Sequence, residues 1–222
     1  MAGLLMFPVM LLGPSCAGIY MIGRTSGSEG LRDLRRRMAR LRAPGFCYAV
    51  LLVPPILIWS VLTVLSRTVS PDFTPNHFWI GAAFGIFAGF LEEIGWVGFA
   101  LPRFLERHSV FTSGAMLGVL WGLWHLPVID FLGTATPHGR AWLPYCAAFI
   151  LAMTGIRILI AYQYRASKSV ALAQLLHMSS TGSLVVFSAP KVSGMQEASW
   201  YMVYAAALWI VAVAVAVGKR GR

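Results

Sequence analysis

The segment FWIGAAFGIFAGFLEEIGWVGFAL, residues 78–101, decides the fold, because it is long and apolar enough to cross a bilayer as a helix. Two adjacent glutamates, Glu92 and Glu93, lie inside it. A charged side chain at the centre of a bilayer costs roughly 2.5–3.5 kcal/mol on insertion scales. Neither membrane solubility nor packing requires such a pair. The two carboxylates therefore indicate a functional site with partners elsewhere in the chain.

The composition extends the membrane interpretation to the whole chain. Of its 222 residues 58% are hydrophobic and 12% are charged, whereas about a quarter of residues are charged in soluble domains. Apolar segments of spanning length cover residues 2–22, 44–66, 78–101, 111–132, 142–163, 167–188 and 198–218. We expect an all-α polytopic membrane protein of about seven transmembrane helices, forming a single transmembrane domain over residues 1–222.

The basic residues predict the orientation of these helices. A net charge of +10 is also typical of nucleic-acid-binding proteins, but here Lys and Arg lie in short loops between apolar segments. With the N-terminus outside, fourteen of them fall on the cytoplasmic side and three on the other: Arg67, Arg140 and Lys191. This positive-inside bias predicts a cytoplasmic C-terminus. We expect the lipid bilayer as surroundings, no nucleic-acid partner, and location in the cytoplasmic (plasma) membrane of a prokaryote.

The most basic segment, residues 23–43, contains LRDLRRRMARLR. Leu31, Leu34, Met38 and Leu41 would share one face of a helix there, with arginines around the rest. Two interpretations are open: a basic amphipathic helix on the cytoplasmic leaflet, or a solvated loop that only sets topology. Neither interpretation indicates a function.

Few ionisable residues lie deep within the predicted spans; they are Glu92, Glu93, His125, Arg157 and His177. At 1.5 Å per residue, the glutamates lie roughly 12–14 Å, and His177 roughly 15 Å, from the cytoplasmic ends of their spans. His125 lies roughly 21 Å along its span by the same rise. Two carboxylates and two imidazoles at similar depth can activate a water molecule or bind a metal.

Other titratable groups are interpreted as wetted. Asp130 lies near the outer end of its span, and three histidines fall in predicted loops, where we expect them to be solvated: His77, His108 and His138.

Helical phase assigns neighbours within this group. Residues four apart share a helix face, so Trp121 stacks with His125 and His177 with Thr181. Adjacent glutamates point about 100° apart, so one of the two is expected to face the reacting centre. An imidazole beside a hydroxyl could hold a developing oxyanion. A single histidine in a membrane helix is more often an interhelical hydrogen-bonder, and tryptophans are more often packing residues; the glutamate pair argues for a site.

Three segments of the chain resemble the signature segments of one family: EEIGWVGFALPRF at 92–104, GVLWGLWHLP at 118–127 and SKSVALAQLLHMSSTGS at 167–183. The family is the CAAX protease and bacteriocin-processing family (CPBP, or Abi) of intramembrane proteases, which includes the type II CaaX prenyl endopeptidases. The resemblance covers residues 90–183, which would then form the catalytic core.

The resemblance implies hydrolysis of a peptide bond within or at the edge of the membrane. Glu92 and His125 would activate the water, and His177 with Thr181 would hold the oxyanion or bind a metal, while Trp121 would support His125. A divalent metal such as zinc, on Glu93, His125 and His177, is an open alternative. The sequence has no HExxH motif, so spacing alone does not predict zinc, and the cofactor stays unknown.

The chain departs from the family pattern at Val97, where an arginine is expected four residues after Glu93. Without that arginine, Glu93 must be protonated, wetted or paired elsewhere. We hypothesise that Arg157, at a comparable depth, supplies the counter-charge. The alternative is that Arg157 extends to the cytoplasmic interface.

The sequence is compatible with three classes of function. The first is an intramembrane endopeptidase acting on a membrane peptide or protein. The second is a non-enzymatic membrane scaffold, such as an immunity factor, a chaperone or a subunit with partner membrane subunits. The third is a haem or ion-translocating protein, for which the adjacent glutamates are poor neighbours. Nothing in the sequence specifies a prenylated substrate.

Overall fold

The computed structural model describes the backbone of residues 2–132 and 138–220 and, except at residues 2–5, 7, 128–132 and 219–220, their side chains. The prediction that Asp130 is wetted therefore concerns a side chain outside those described. Within these ranges every regular element is helical. The α-helices are α1 (Ala2–Met38), α2 (Phe46–Ala49), α3 (Val53–Thr68), α4 (Ile80–Gly95), α5 (Leu101–Arg107), α6 (Val110–Leu132), α7 (Trp142–Ser167), α8 (Val170–Val186) and α9 (Gly194–Arg220). A π-helical turn, Trp96–Ala100, joins α4 to α5.

Each of the seven predicted spans coincides with a helix or a continuous helical segment. Among the described residues, four segments have the length and hydropathy of a membrane span: Phe46–Thr68, Ile80–Arg107, Gly139–Ser167 and Gly194–Gly218. Helix α8 is a shorter apolar helix. The chain is an all-α polytopic membrane protein, as predicted.

Several predicted loops are helical instead. Helix α1 continues to Met38 through a kink at Gly27, whose φ is 59°, so most of the basic segment 23–43 is a helix. The predicted loop 102–110 is mostly α5, and Pro102 is compatible with its first turn because the φ of proline is already helical. The predicted turn at 164–166 is the last turn of α7, which ends where Lys168 adopts a left-handed conformation.

Two rows of glycines bring together the helices that carry the ionisable side chains of the predicted spans. On α4 the row is Gly81, Gly85 and Gly89, and it faces α8 so closely that a Cβ on Gly85 would lie 2.5 Å from the backbone nitrogen of Gly182. Small residues four apart let membrane helices approach to backbone contact. The glutamates at the end of α4 are thus held beside His177 on α8.

The second row lies on α6 and consists of Gly114, Gly118 and Gly122. It faces α7, where a Cβ on Gly118 would lie 2.5 Å from the Cα of Thr154 and 3.1 Å from the Cβ of Arg157. This row holds the helix of Trp121 and His125 against the helix of Arg157. Helix α7 is buried along most of its length, and α9 packs on its other side.

Candidate active site

Glu93 lies at the centre of a buried cluster of charges. Both of its carboxylate oxygens accept hydrogen bonds from one terminal nitrogen of Arg157, at 2.7 and 2.9 Å. The side chains of both residues are 0% exposed. The pairing predicted for Arg157 is therefore present, and the alternative, in which Arg157 extends to the interface, is wrong. Breaking a buried ion pair by removing one partner costs about 3–5 kcal/mol.

Val97 explains why the counter-charge comes from another helix. Its side chain is fully buried in the apolar core, at the position where an arginine was expected from the family pattern. Arg157 instead reaches Glu93 from α7, across the helix packing that the α6 glycines permit. The negative charge of Glu93 is thus compensated although its own helix carries no arginine there.

His177 is fixed by the same carboxylate. Its Nδ1 lies 2.7 Å from Glu93 Oε1, and both side chains are 0% exposed. An ionised carboxylate only accepts hydrogen bonds, so Nδ1 carries the proton and donates it. The other ring nitrogen, Nε2, is buried and has no hydrogen-bond partner among the described residues. It is the ring atom of His177 that remains available for a ligand.

Glu92 is held in a different way from its neighbour. Its Oε2 accepts a hydrogen bond of 2.8 Å from the indole Nε1 of Trp121. Its Oε1 is buried and has no hydrogen-bond partner in the described part of the chain. Its side chain is also 0% exposed. Glu92 therefore presents one bound and one unbound oxygen, unlike Glu93, whose oxygens are both occupied.

His125 faces the unbound oxygen of Glu92. Its Nδ1 lies 2.7 Å from the main-chain oxygen of Trp121. A carbonyl oxygen only accepts, so Nδ1 carries the proton, and in the neutral ring Nε2 has a lone pair. This Nε2 lies 4.0 Å from Glu92 Oε1, and the side chain of His125 is 14% exposed. Two acceptors at this separation do not bond to each other directly.

Trp121 lies between the two glutamate–histidine pairs, Glu92 with His125 and Glu93 with His177. Its ring centroid lies 4.9 Å from that of His125 and 4.8 Å from that of His177, both in edge-to-face contact. The guanidinium carbon of Arg157 lies 4.2 Å from the centroid of the same ring. The sequence favoured a packing role for this tryptophan. It packs, but it also donates the hydrogen bond that orients Glu92 and stacks against the cation that neutralises Glu93.

The remaining predicted site residue, Thr181, lies one turn beyond His177 and is half-buried. Among the described contacts its hydroxyl has no hydrogen-bond partner. It lies on the same helix face as His177, as the four-residue spacing predicts.

The three residues considered as metal ligands, Glu93, His125 and His177, do not form a metal site. In residues 2–132 and 138–220 no group of three or more His, Cys, Asp or Glu side chains is arranged to hold a metal ion. Glu93 is already bound by the guanidinium of Arg157, a cation that would repel a divalent metal at the same oxygens. The donor set therefore does not fit a zinc ion on these three residues.

The other histidines divide into two kinds. His77 and His108 are exposed, in keeping with their interpretation as surface residues. His138 is not solvated as predicted: its Nε2 lies 3.0 Å from Glu197 Oε2, its ring stacks on Tyr145 at 3.8 Å, and its side chain is 5% exposed. Its carboxylate partner lies 59 residues away, so local sequence gave no signal of the pair.

Two comparisons with known proteins bear on the arrangement. Residues 74–183 match the family model of Rce1-like type II CAAX prenyl endopeptidases. The chain is also 25% identical over 188 residues to a CAAX prenyl protease 2 of Methanococcus maripaludis, an alignment that covers 75% of this chain and 66% of that protein. The residues that match the family model include the three motifs that carry Glu92, His125 and His177. Over residues 74–183 the chain is similar to the CAAX protease (CPBP) family.

Proposed function

We propose that this protein is an intramembrane endopeptidase in which Glu92 and His125 activate a water molecule for attack on a peptide bond. The observation that carries the proposal is the 4.0 Å separation between Glu92 Oε1 and His125 Nε2. Among the described residues Glu92 Oε1 has no hydrogen-bond partner. A water molecule has two protons to donate, one to each acceptor. Its oxygen lone pairs would then point away from both groups, toward a substrate.

In the proposed reaction Glu92 is the general base. The water oxygen forms a bond to the scissile carbonyl carbon while one water proton passes to Glu92 Oε1, and the carbonyl electron pair moves onto its oxygen. The C–N bond then breaks, and the leaving nitrogen takes the proton from Glu92. General acid–base catalysis of this kind contributes about 10²–10⁴-fold. The hydrogen bond from Trp121 holds the carboxylate with Oε1 toward His125.

His177 and Thr181 would stabilise the oxyanion. Nε2 of His177 can donate only when the ring carries both protons, and Glu93 at Nδ1 is the counter-charge for that form. Arg157 holds Glu93, so the ring of His177 is oriented through a chain of two contacts. In this proposal Glu93 and Arg157 are positioning residues, and Glu92, His125 and His177 touch the reacting atoms.

The substrate class follows from the position of the site. The site lies among apolar helices of a membrane protein, so the proposed substrate is a peptide or protein segment that reaches the bilayer. The ionisable side chains of the site are Glu92, Glu93, His125, Arg157 and His177. The relative from Methanococcus maripaludis is named for a prenyl substrate, but no group in the present site specifies a prenyl chain. We propose the cytoplasmic membrane of a prokaryote as its location, with the more basic connecting segments on the cytoplasmic side.

The test is a cleavage assay with purified protein in vesicles, on a panel of membrane peptides with and without a prenyl group. Glu92→Gln should lose cleavage about 10²–10⁴-fold. Glu106→Gln, which removes an exposed carboxylate on α5, is the matched control and should cleave like the wild type. Equal rates for wild type and Glu92→Gln would remove Glu92 from the chemistry. A chelator arm tests the metal alternative, and we expect no change on chelation.

A non-enzymatic scaffold is the second candidate, because Val97 replaces the expected arginine. Loss of charge compensation at Glu93 was the argument for it. Arg157 now supplies that compensation, so the observation that favoured the scaffold is weakened. Absence of cleavage on the whole peptide panel, by protein with an intact fold, would favour it again.

A further inference from the structure

The π-helical turn after the two glutamates runs directly into α5, and Pro102 at the start of α5 removes the α-helical partner of one backbone carbonyl. In an α-helix the carbonyl of Gly98 would accept from the N–H of residue 102. Residue 102 is proline, which has no N–H. A helix carbonyl deprived of its partner inside a protein must be satisfied from elsewhere.

Arg37, near the end of α1, supplies that partner. One of its terminal nitrogens donates to the carbonyl oxygen of Gly98 at 3.0 Å. The other terminal nitrogen donates to the hydroxyl of Tyr164 on α7 at 3.1 Å, and Nε donates to Asp33 at 2.7 Å. The guanidinium therefore serves three acceptors at fixed angles, which suits its planar fork and not a lysine ammonium.

The approach of α1 to the turn depends on small and apolar residues as well. Leu34, one turn before Met38, is 4% exposed. It lies so close to Gly98 that a Cβ added to Gly98 would be 2.8 Å from Leu34 Cδ1. The kink at Gly27 separates this part of α1 from the part that precedes it. The end of α1 is thus docked on the turn and is not merely adjacent to it.

These contacts close a ring of connections around Glu93. Tyr164 lies seven residues after Arg157, two turns along the same face of α7. Arg157 holds Glu93, and Gly98 follows Glu93 by five residues. Arg37 joins the far ends of this path, from Tyr164 to Gly98. The register of the turn relative to α7 is thereby fixed at two places instead of one.

We propose that Arg37 is a positioning residue for the reaction: it holds the π-helical turn against α7 and so sets the directions of the carboxylates of Glu92 and Glu93. The proposal rests on the proposed function for its catalytic consequence. Arg37 lies outside residues 74–183, the part that the family model matches. Misplacing a reacting group by about 1 Å can cost about 100-fold in rate, so we expect Arg37→Met to lower kcat about 10- to 100-fold with little change in KM.

Arg36→Met is the matched control. It removes the same charge one residue earlier, but Arg36 is exposed and its one described contact is a 3.7 Å approach to Asp33. We expect wild-type kcat for this variant. Arg37→Lys keeps the charge but not the three-way geometry, and it should fall between the other two; it also serves as the test variant if Arg37→Met does not fold.

The contacts of Arg37 with Gly98 and Tyr164, called the brace below, can be tested without any substrate. The measurement is hydrogen exchange of residues 93–101, followed by mass spectrometry on the full chain in vesicles. The amides of this segment should exchange faster in Arg37→Met than in wild type or Arg36→Met. If the wild type cleaves no peptide, the proposed function fails, and the exchange result still decides whether the brace exists. Unchanged exchange in Arg37→Met would overturn the brace, and faster exchange with wild-type kcat would overturn its role in the reaction.

A second substitution separates positioning from general stability. Pro102→Ala restores an N–H that can bond to the Gly98 carbonyl, so it should recover part of the kcat lost in Arg37→Met. A role for Arg37 in stability alone predicts no such recovery. Failure of Pro102→Ala to restore kcat, in a folded double variant, would contradict the assignment of the Gly98 carbonyl as the group that needs Arg37.

Discussion

Glu92 and Glu93 are neighbours in the chain and equally buried, yet their surroundings are opposite in kind. Glu93 is closed: both oxygens are bound, by Arg157 and His177. Glu92 is open: one oxygen is bound by Trp121 and the other faces His125 across 4.0 Å. The difference comes from the roughly 100° between successive side chains on a helix. It indicates that one carboxylate maintains the site and the other is available for chemistry.

The largest expected effect comes from breaking the closed side. Arg157→Met leaves the charge of Glu93 buried without its cation, so we expect a loss of about 3–5 kcal/mol in stability. The measurement is equilibrium unfolding in detergent. Adding Glu93→Gln to Arg157→Met removes the stranded charge and should recover part of the loss. A double variant less stable than Arg157→Met alone would contradict the pairing as the source of the effect.

Removing the hydroxyl of Thr181, one turn beyond His177, tests whether that hydroxyl helps to stabilise the oxyanion. Thr181→Val keeps the shape and deletes the proposed second oxyanion donor, and such donors are worth about 10²–10³ in kcat. Thr181→Ser retains the hydroxyl and is the control. We expect kcat to fall for valine only, as measured by steady-state cleavage. Equal rates for the two variants would exclude the hydroxyl from the reaction.

The open side depends on the indole of Trp121. Trp121→Phe keeps an aromatic ring beside both histidines but cannot donate to Glu92 Oε2. Hydrogen bonds to charged groups contribute about 1.5–3 kcal/mol, so we expect roughly a 10- to 100-fold lower kcat. Trp124→Phe removes an indole whose Nε1 bonds to the Met10 carbonyl instead. It should leave kcat within a few-fold of wild type; an equal loss in both variants would mean that the bond to Glu92 is unimportant.

The smallest effect is expected at the glycine contact of α6 with α7. Gly118→Ala places a methyl against the backbone of Thr154 and beside Arg157, and overpacking of this kind costs about 1–3 kcal/mol. A Cβ on Gly45 would meet nothing within 4 Å, so Gly45→Ala should be nearly neutral. Unfolding midpoints compare the two, and equal midpoints would refute close approach at Gly118.

Much of this arrangement follows from the sequence, because burying a charge in a membrane protein is costly enough to need a reason. Apolar runs predict the helices, and helix rise places Glu93 and Arg157 at comparable depth. The pair could be proposed because few ionisable residues are available in the spans.

Other features depend on packing that a linear pattern does not specify. The direction of the Trp121 indole depends on how α6 lies against α4, and the His138–Glu197 pair joins residues far apart in the chain. The glycine rows did carry a signal, a repeated spacing of four, that predicts close helix contact but not the partner helix. The last part of α1, most of α5 and the last turn of α7 were missed, because each predicted span ends where the apolar run ends, whereas the helix continues into polar residues.

The division of labour between the two glutamates is tested most directly by the cleavage rate per folded molecule of Glu92→Gln beside that of Glu93→Gln, each with its unfolding midpoint. We expect Glu92→Gln to fold like the wild type and to lose about 10²–10⁴-fold in rate. Glu93→Gln should be clearly less stable, because Arg157 then lacks its counter-charge. A Glu92→Gln protein that cleaves at the wild-type rate would contradict the account.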